Sequence, residues 1–130
     1  MSSTDRLQRY LTDEQGHCGD ETLANRLAEL EAVDAAADGS ALETDVSLLS
    51  ALANETRYKI VRLIHTADEE LCVCEFAPFL DVSDSAISHA LSQLTEAGLL
   101  ERRKDGKWRK YRTTAQATAL LVALEGSRSL

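Results

Sequence analysis

Apolar side chains recur at helical spacing along most of the chain and give way to strand-like spacing only near its end. From Asp20 to about Ala37, Leu23, Leu27, Leu30 and Val33 fall every three or four residues with acids between them, which predicts an amphipathic helix. Asp38-Gly39-Ser40 ends it and marks a boundary. A helix is expected over 43–52, with Val46, Leu49 and Ala53 on one side. Asn54 suits the N-cap of the next, whose apolar positions are Ile60, Val61, Leu63 and Ile64. A short piece over 74–80 carries Phe76, Phe79 and Leu80, and Asp81-Val82 reads as a turn. Ser83 then caps a helix running to about Ala97. In it Ile87, Ala90, Leu91 and Leu94 make one core face, and Gly98 suits the C-cap.

The other face of that helix is short and polar: Asp84, Ser85, Ser88, His89 and Ser92. A short helix, a tight turn and a second helix with a polar face is the helix-turn-helix layout. Two strands are expected next, Leu99 to about Lys104 and Lys107 to about Thr113, joined at Asp105-Gly106. A hairpin directly after a recognition helix is a wing, in which Trp108 packs and Tyr111 faces the core. Ala117, Leu120, Leu121 and Leu124 give a last helix with an apolar stripe. That stripe and the one at 23–33 are dimer or core surfaces, and in so short a chain they are expected to meet a second copy. Residues 1–19, polar and holding Gly16 and Gly19, read as a flexible arm. The fold class is mainly α with a small β-hairpin wing: a winged helix-turn-helix with an α-helical dimer interface. The expected division is 1–40, arm and amphipathic helix, and 41–130, DNA-binding domain with a C-terminal dimerisation helix.

Charge sharpens this picture. The chain totals −8, yet seven of its fourteen Lys and Arg lie between Arg102 and Arg112 with one acid among them, a local +6. An isolated basic block on an acidic chain reads as a binding patch for phosphate. Arg102, Arg103, Lys104, Lys107, Arg109 and Lys110 are therefore expected to grip the DNA backbone. Ser83, Ser85, Ser88, His89 and Ser92 present short side chains to the groove. The acid excess, with only four Lys, suits concentrated salt. There the Debye length falls to about 3 Å and acidic surface elsewhere hardly repels DNA. No apolar run is long enough to span a bilayer and the start is no signal peptide, so a cytoplasmic protein is expected. Cys-x-x-Cys, a Gly-rich phosphate loop and α/β alternation are all lacking, and an enzyme is not expected.

Cys72-Val73-Cys74 is the remaining chemistry. Thiolates are soft ligands for arsenic(III), cadmium, lead or zinc. Residues i and i+2 do not face each other on a helix. Both sulfurs meet one atom only where the chain is irregular, and Pro78 lacks the N–H that would bond back to the Cys74 carbonyl. Asp68, Glu69, Glu70 and Glu75 crowd the pair and disfavour thiolate, which weakens a redox role. His65 reads as an ordinary residue.

Four stretches together resemble one family: Leu49-Ser-Ala-Leu-Ala-Asn-Glu-Thr-Arg57, Glu70-Leu-Cys-Val-Cys-Glu75, Val82-Ser-Asp-Ser-Ala-Ile-Ser-His89 and Asp105-Gly-Lys-Trp-Arg-Lys-Tyr111. In this order, across roughly residues 43–125, they are similar to the ArsR/SmtB metalloregulators. The resemblance implies a homodimeric repressor that leaves operator DNA when an inducer binds, here arsenic(III) or antimony(III) at the thiols. Where arsenic sensors with a complete motif carry a third Cys, this chain has Ala77. The family's cadmium/lead sensors draw thiols from an N-terminal extension, which makes Cys18 the candidate third sulfur and His17 a possible fourth ligand. Cadmium, lead or zinc, or a thiol-redox response, stay open as alternatives. The family's zinc site on the last helix needs His and carboxylates, and residues 114–124 contain neither.

Overall fold

The structure, a computed structural model, describes residues 3–16, 19–39 and 41–128. The chain divides into two units, Met1–Leu42 and Glu43–Leu130. The first is a pair of helices, α1 (Ser3–Gln15) and α2 (Asp20–Asp38). The second runs α3 (Leu42–Leu52), α4 (Glu55–Ala67), β1 (Leu71–Cys72), α5 (Val73–Phe76), a 3-10 turn (Ala77–Phe79), α6 (Asp84–Glu96), β2 (Leu100–Asp105), β3 (Trp108–Thr113) and α7 (Ala115–Arg128).

Helix α1 corrects the expected flexible arm. Leu7 and Leu11 lie one turn apart, and Leu11 is buried where α1 meets α2. The polar composition of residues 1–19 masked this two-residue line. Gly16, at φ +82, stops the helix. On α2, Leu23, Leu27 and Leu30 are half-buried while Val33 is exposed. Of the boundary triplet, Ser40 lies outside the described residues, as do His17 and Cys18.

In the second unit a single core joins α4 (Ile60, Val61, Ile64), Phe76 and Leu80, α6 (Ile87, Ala90, Leu91, Leu94), the sheet (Leu100, Tyr111) and α7 (Ala117, Leu121). Each Leu, Ile, Val and Phe among them contributes about 1.5–3 kcal/mol by leaving water. Asn54 caps α4, its Oδ1 accepting from Arg57 N–H at 3.0 Å. Asp68, in the left-handed region at φ 56, closes that helix by donating its N–H to His65 and Ile64 carbonyls. Helix α3 is turned relative to expectation. Leu48 is the buried residue, while Val46, Leu49 and Ala53 are exposed. Phe79, an expected apolar position of the short piece, is likewise exposed.

The sheet has three strands in the order β1-β3-β2, all antiparallel. The short first strand has no counterpart in the sequence reading, because two residues carry no periodicity. The hairpin loop is Gly106-Lys107, with Asp105 paired to Trp108. This is one residue beyond the expected Asp105-Gly106. Gly106 at φ +64 occupies the first loop position, where a type II′ turn needs it.

Candidate nucleic-acid interface and thiol site

Ser83 starts the recognition helix α6, its Oγ accepting from Ala86 N–H at 3.1 Å. Ser83, Ser85, Ser88, His89 and Ser92 are all exposed, opposite a buried line of Ile87, Ala90, Leu91 and Leu94. Arg57, which sequence reasoning left unassigned, sets this helix in place. Its guanidinium donates to the carbonyls of Ala51 (2.6 Å) and Ser50 (3.2 Å) and to Gln93 Oε1 (3.1 Å). One side chain thus ties α3 to α6 from the first turn of α4. The only signal in the sequence was its position three residues after a capping Asn.

Two hydrogen bonds lock α6 to the wing. Gly98 N–H bonds to Thr95 O (3.1 Å) and Leu99 N–H to Leu94 O (2.9 Å), with Gly98 at φ +80: a Schellman motif. Leu94 and Leu99, its apolar pair, have no exposed surface. Thr114 clips the far end of the wing to the same joint. Its Oγ1 donates to Gly98 O at 2.8 Å and accepts from Ala117 N–H at 3.2 Å, capping α7.

Cross-strand pairing sorts the basic block onto two faces. Residues directly opposite each other share a face. Arg102 pairs with buried Tyr111, and Lys104 with Arg109, on the face that continues from the core and from α6. Among the described residues these three cations have no acidic partner within ion-pair distance, and Lys107 stacks over Trp108 at 5.0 Å. The other face is neutralised. Arg103 pairs with Glu70, Lys110 with Asp105 (3.2 Å) and Arg112 with Glu101 (2.6 Å). Six expected phosphate grips therefore divide into three free cations on the first face (Arg102, Lys104 and Arg109), Lys107 in the hairpin loop over Trp108, and two held ones, Arg103 and Lys110.

The thiols sit on that neutralised face. Cys72 is opposite Lys110, which is opposite Arg103, so the first thiol lies at the edge of the wing sheet itself. Its backbone is extended (φ −71, ψ 148), as a convergence of i and i+2 side chains requires. Cys72 also acts as the N-cap of α5. Its Sγ accepts from Cys74 N–H (3.4 Å), while Glu75 Oε1 accepts from Cys72 N–H (2.8 Å), a capping box with sulfur in the usual hydroxyl place. Cys74 Sγ donates to Cys72 Sγ at 2.9 Å. That hydrogen bond pushes the Cys74 thiol above its ordinary pKa, helped by desolvation and by the nearby Cys72 and Glu75. Cys72 is buried and Cys74 exposed, so packing alone accounts for one thiol and not for the other. The Arg103 hydrogen bond holds the Glu70 carboxyl below its usual range. Glu70 and Glu75, expected to disfavour thiolate, are both engaged, one by the wing and one by the helix cap. His65 lies against Glu125 at 3.4 Å.

Two sulfurs in contact, at the edge of a wing whose other face offers free cations beside an exposed polar helix, define a thiol-bearing winged helix-turn-helix DNA-binding protein. The model of the bacterial regulatory proteins of the arsR family matches residues 54–102. A protein of Halobacterium salinarum named as an arsenical resistance operon repressor, ArsR, is 77% identical over 128 residues, 98% of this chain and 99% of that one. The chain belongs to the ArsR family of DNA-binding transcriptional regulators. Among solved structures, HlyU from Vibrio cholerae superposes with a TM-score of 0.62 at 30% identity, covering 71% of this chain and 99% of that one. A homodimeric winged helix-turn-helix DNA-binding domain from Mycobacterium bovis gives 0.60 at 27% identity, covering 71% and 83%. No described helix is long and apolar enough to cross a membrane.

Proposed function

We propose that this chain is a metalloid-responsive transcriptional repressor. As a homodimer it binds operator duplex through α6 and the free face of the wing, and it leaves when arsenic(III) or antimony(III) is captured by Cys72 and Cys74. The observation that carries this reading is the 2.9 Å approach of two sulfurs on a strand hydrogen-bonded to the wing. The name of the 77% identical relative supports the inducer class. Each As–S bond forms as a thiol proton leaves with an arsenite hydroxyl as water. Neutral arsenous acid approaches the acidic surroundings without repulsion, and a protonated Cys74 suits that chemistry. The alternative inducers, cadmium, lead and zinc, prefer additional ligands. Glu70 and Glu75 are already committed to Arg103 and to the Cys72 N–H. Cys18 is proposed as the third sulfur, from the same copy or its partner.

Release follows from what Cys72 does in the free protein. Its sulfur caps the first helix of the helix-turn-helix, and an S–As bond in place of S–H turns that sulfur toward the arsenic, which disturbs the direction in which it accepts from Cys74 N–H and removes the Cys74 S–H donor. The homodimeric neighbour supports pairing of two copies, and exposed Val122 and Leu124 on α7, with Leu42, Val46 and Leu49 on α3, offer apolar surface for it. Arsenic-edge X-ray absorption on arsenite-loaded protein tests the ligand set. Three As–S bonds are expected, falling to two in Cys18→Ser. Fewer than two in the unmutated protein would end the proposal.

A further inference from the structure

Backbone pairing joins the thiol strand β1 only to its neighbour β3. One side-chain contact goes further. Glu70, the residue before β1, reaches diagonally across β3 to Arg103 on the outer strand β2. Arg103 Nε donates to both carboxylate oxygens at 3.1 Å and its Nη2 donates to Oε1 as well. Such a forked pairing fixes orientation as well as distance. Glu70 is two residues from Cys72, on the same face of the sheet, so the carboxylate and the thiol move as one piece of chain.

We infer that the Glu70–Arg103 pair is a positioning device that carries thiol occupancy to the whole wing. This rests on the arsenite-release reading above. Without the pair, a shift of β1 reaches the β2–β3 hairpin only through the two-residue Leu71/Tyr111 and Cys72/Lys110 ladder. With it, β1 and β2 grip β3 from both sides, and the three strands turn together. The free cations on the opposite face, Arg102 and Lys104 on β2 and Arg109 on β3, then lose their alignment with phosphate at once. Arg103 thereby acts through the wing's orientation and not as a phosphate contact.

The test compares wild type with Glu70→Gln, Arg103→Gln and Arg102→Gln, each full length. Arsenite affinity is read from the S-to-As absorption band. Affinity for duplex DNA from upstream of the chain's own gene is read with and without arsenite over a KCl series. Typical allosteric coupling weakens DNA binding by about 5- to 150-fold. Glu70→Gln and Arg103→Gln are expected to keep arsenite affinity within about twofold, a range far below that coupling. They should lose most of the arsenite-induced weakening. Arg102→Gln is expected to keep that response and to lower the salt slope by about one. A Glu70→Gln variant as responsive as wild type overturns the inference, and so does an Arg103→Gln salt slope that falls like that of Arg102→Gln. If arsenite fails to weaken DNA binding in wild type itself, the arsenite-release reading fails first and takes this inference with it.

Discussion

Cys72 is the acceptor in the cap of α5, and the proposed function makes the same sulfur a ligand for the inducer. Substitution separates the two roles. Cys72→Ser supplies a better capping acceptor and no thiol. It is expected to fold and bind DNA while losing the arsenite response. Cys72→Ala removes the acceptor as well and should be less stable than Cys72→Ser by about 1 kcal/mol, the usual worth of an N-cap, checked by urea unfolding. Equal stability of the two would show that the cap contributes nothing. The thiol pair and the basic block were legible in the sequence because their chemistry lies in residue identity. Arg57, Glu70 and Thr114 were not, because each acts through a partner remote in the chain. Arg57 finds Gln93 36 positions away and Arg103 finds Glu70 33 positions away, and no local pattern announces either.

The wing is the element in which the sequence reading was right in kind and incomplete in detail. A run of seven basic residues does not reveal which alternate onto the free face; only the register does. Single Ala substitutions of Arg102, Lys104 or Arg109 are expected to reduce the slope of log affinity against log salt by about one each. Lys110→Ala, whose ammonium already faces Asp105, should change it much less; a full unit of loss there would refute the division into two faces. Gly98 holds the joint between helix and wing at φ +80, where a would-be Cβ meets only Gln116 Oε1, at 3.9 Å. Gly98→Ala therefore carries a conformational cost of about 1 kcal/mol and no clash, and thermal unfolding with DNA titration should register both a lower midpoint and weaker binding. The helices α2, α4, α6 and α7 followed from apolar periodicity. Helix α1 and strand β1 did not, the one hidden by polar composition and the other too short to have a period.

At the scale of the whole molecule, the proposed homodimer sets the α6 helix and wing of each copy on one half-site, so that affinity for a full operator needs two copies. Val122→Glu with Leu124→Glu places charge on exposed apolar positions of α7. Sedimentation equilibrium is expected to show a monomer, and DNA affinity should fall with it; a persistent dimer would locate the interface elsewhere. The acid excess outside the wing repels itself at low ionic strength, so the unfolding midpoint should rise between about 0.1 and 1 M KCl as the Debye length drops from about 10 to 3 Å. Arsenite at Cys72 and Cys74 is proposed to release the DNA, and titration of arsenite into the protein–DNA complex, followed by fluorescence anisotropy, decides whether it does. A loss of affinity of about 5- to 150-fold is expected in wild type, and none in Cys72→Ser/Cys74→Ser. DNA affinity unchanged by arsenite in wild type, or an equal loss in the double variant, would contradict it.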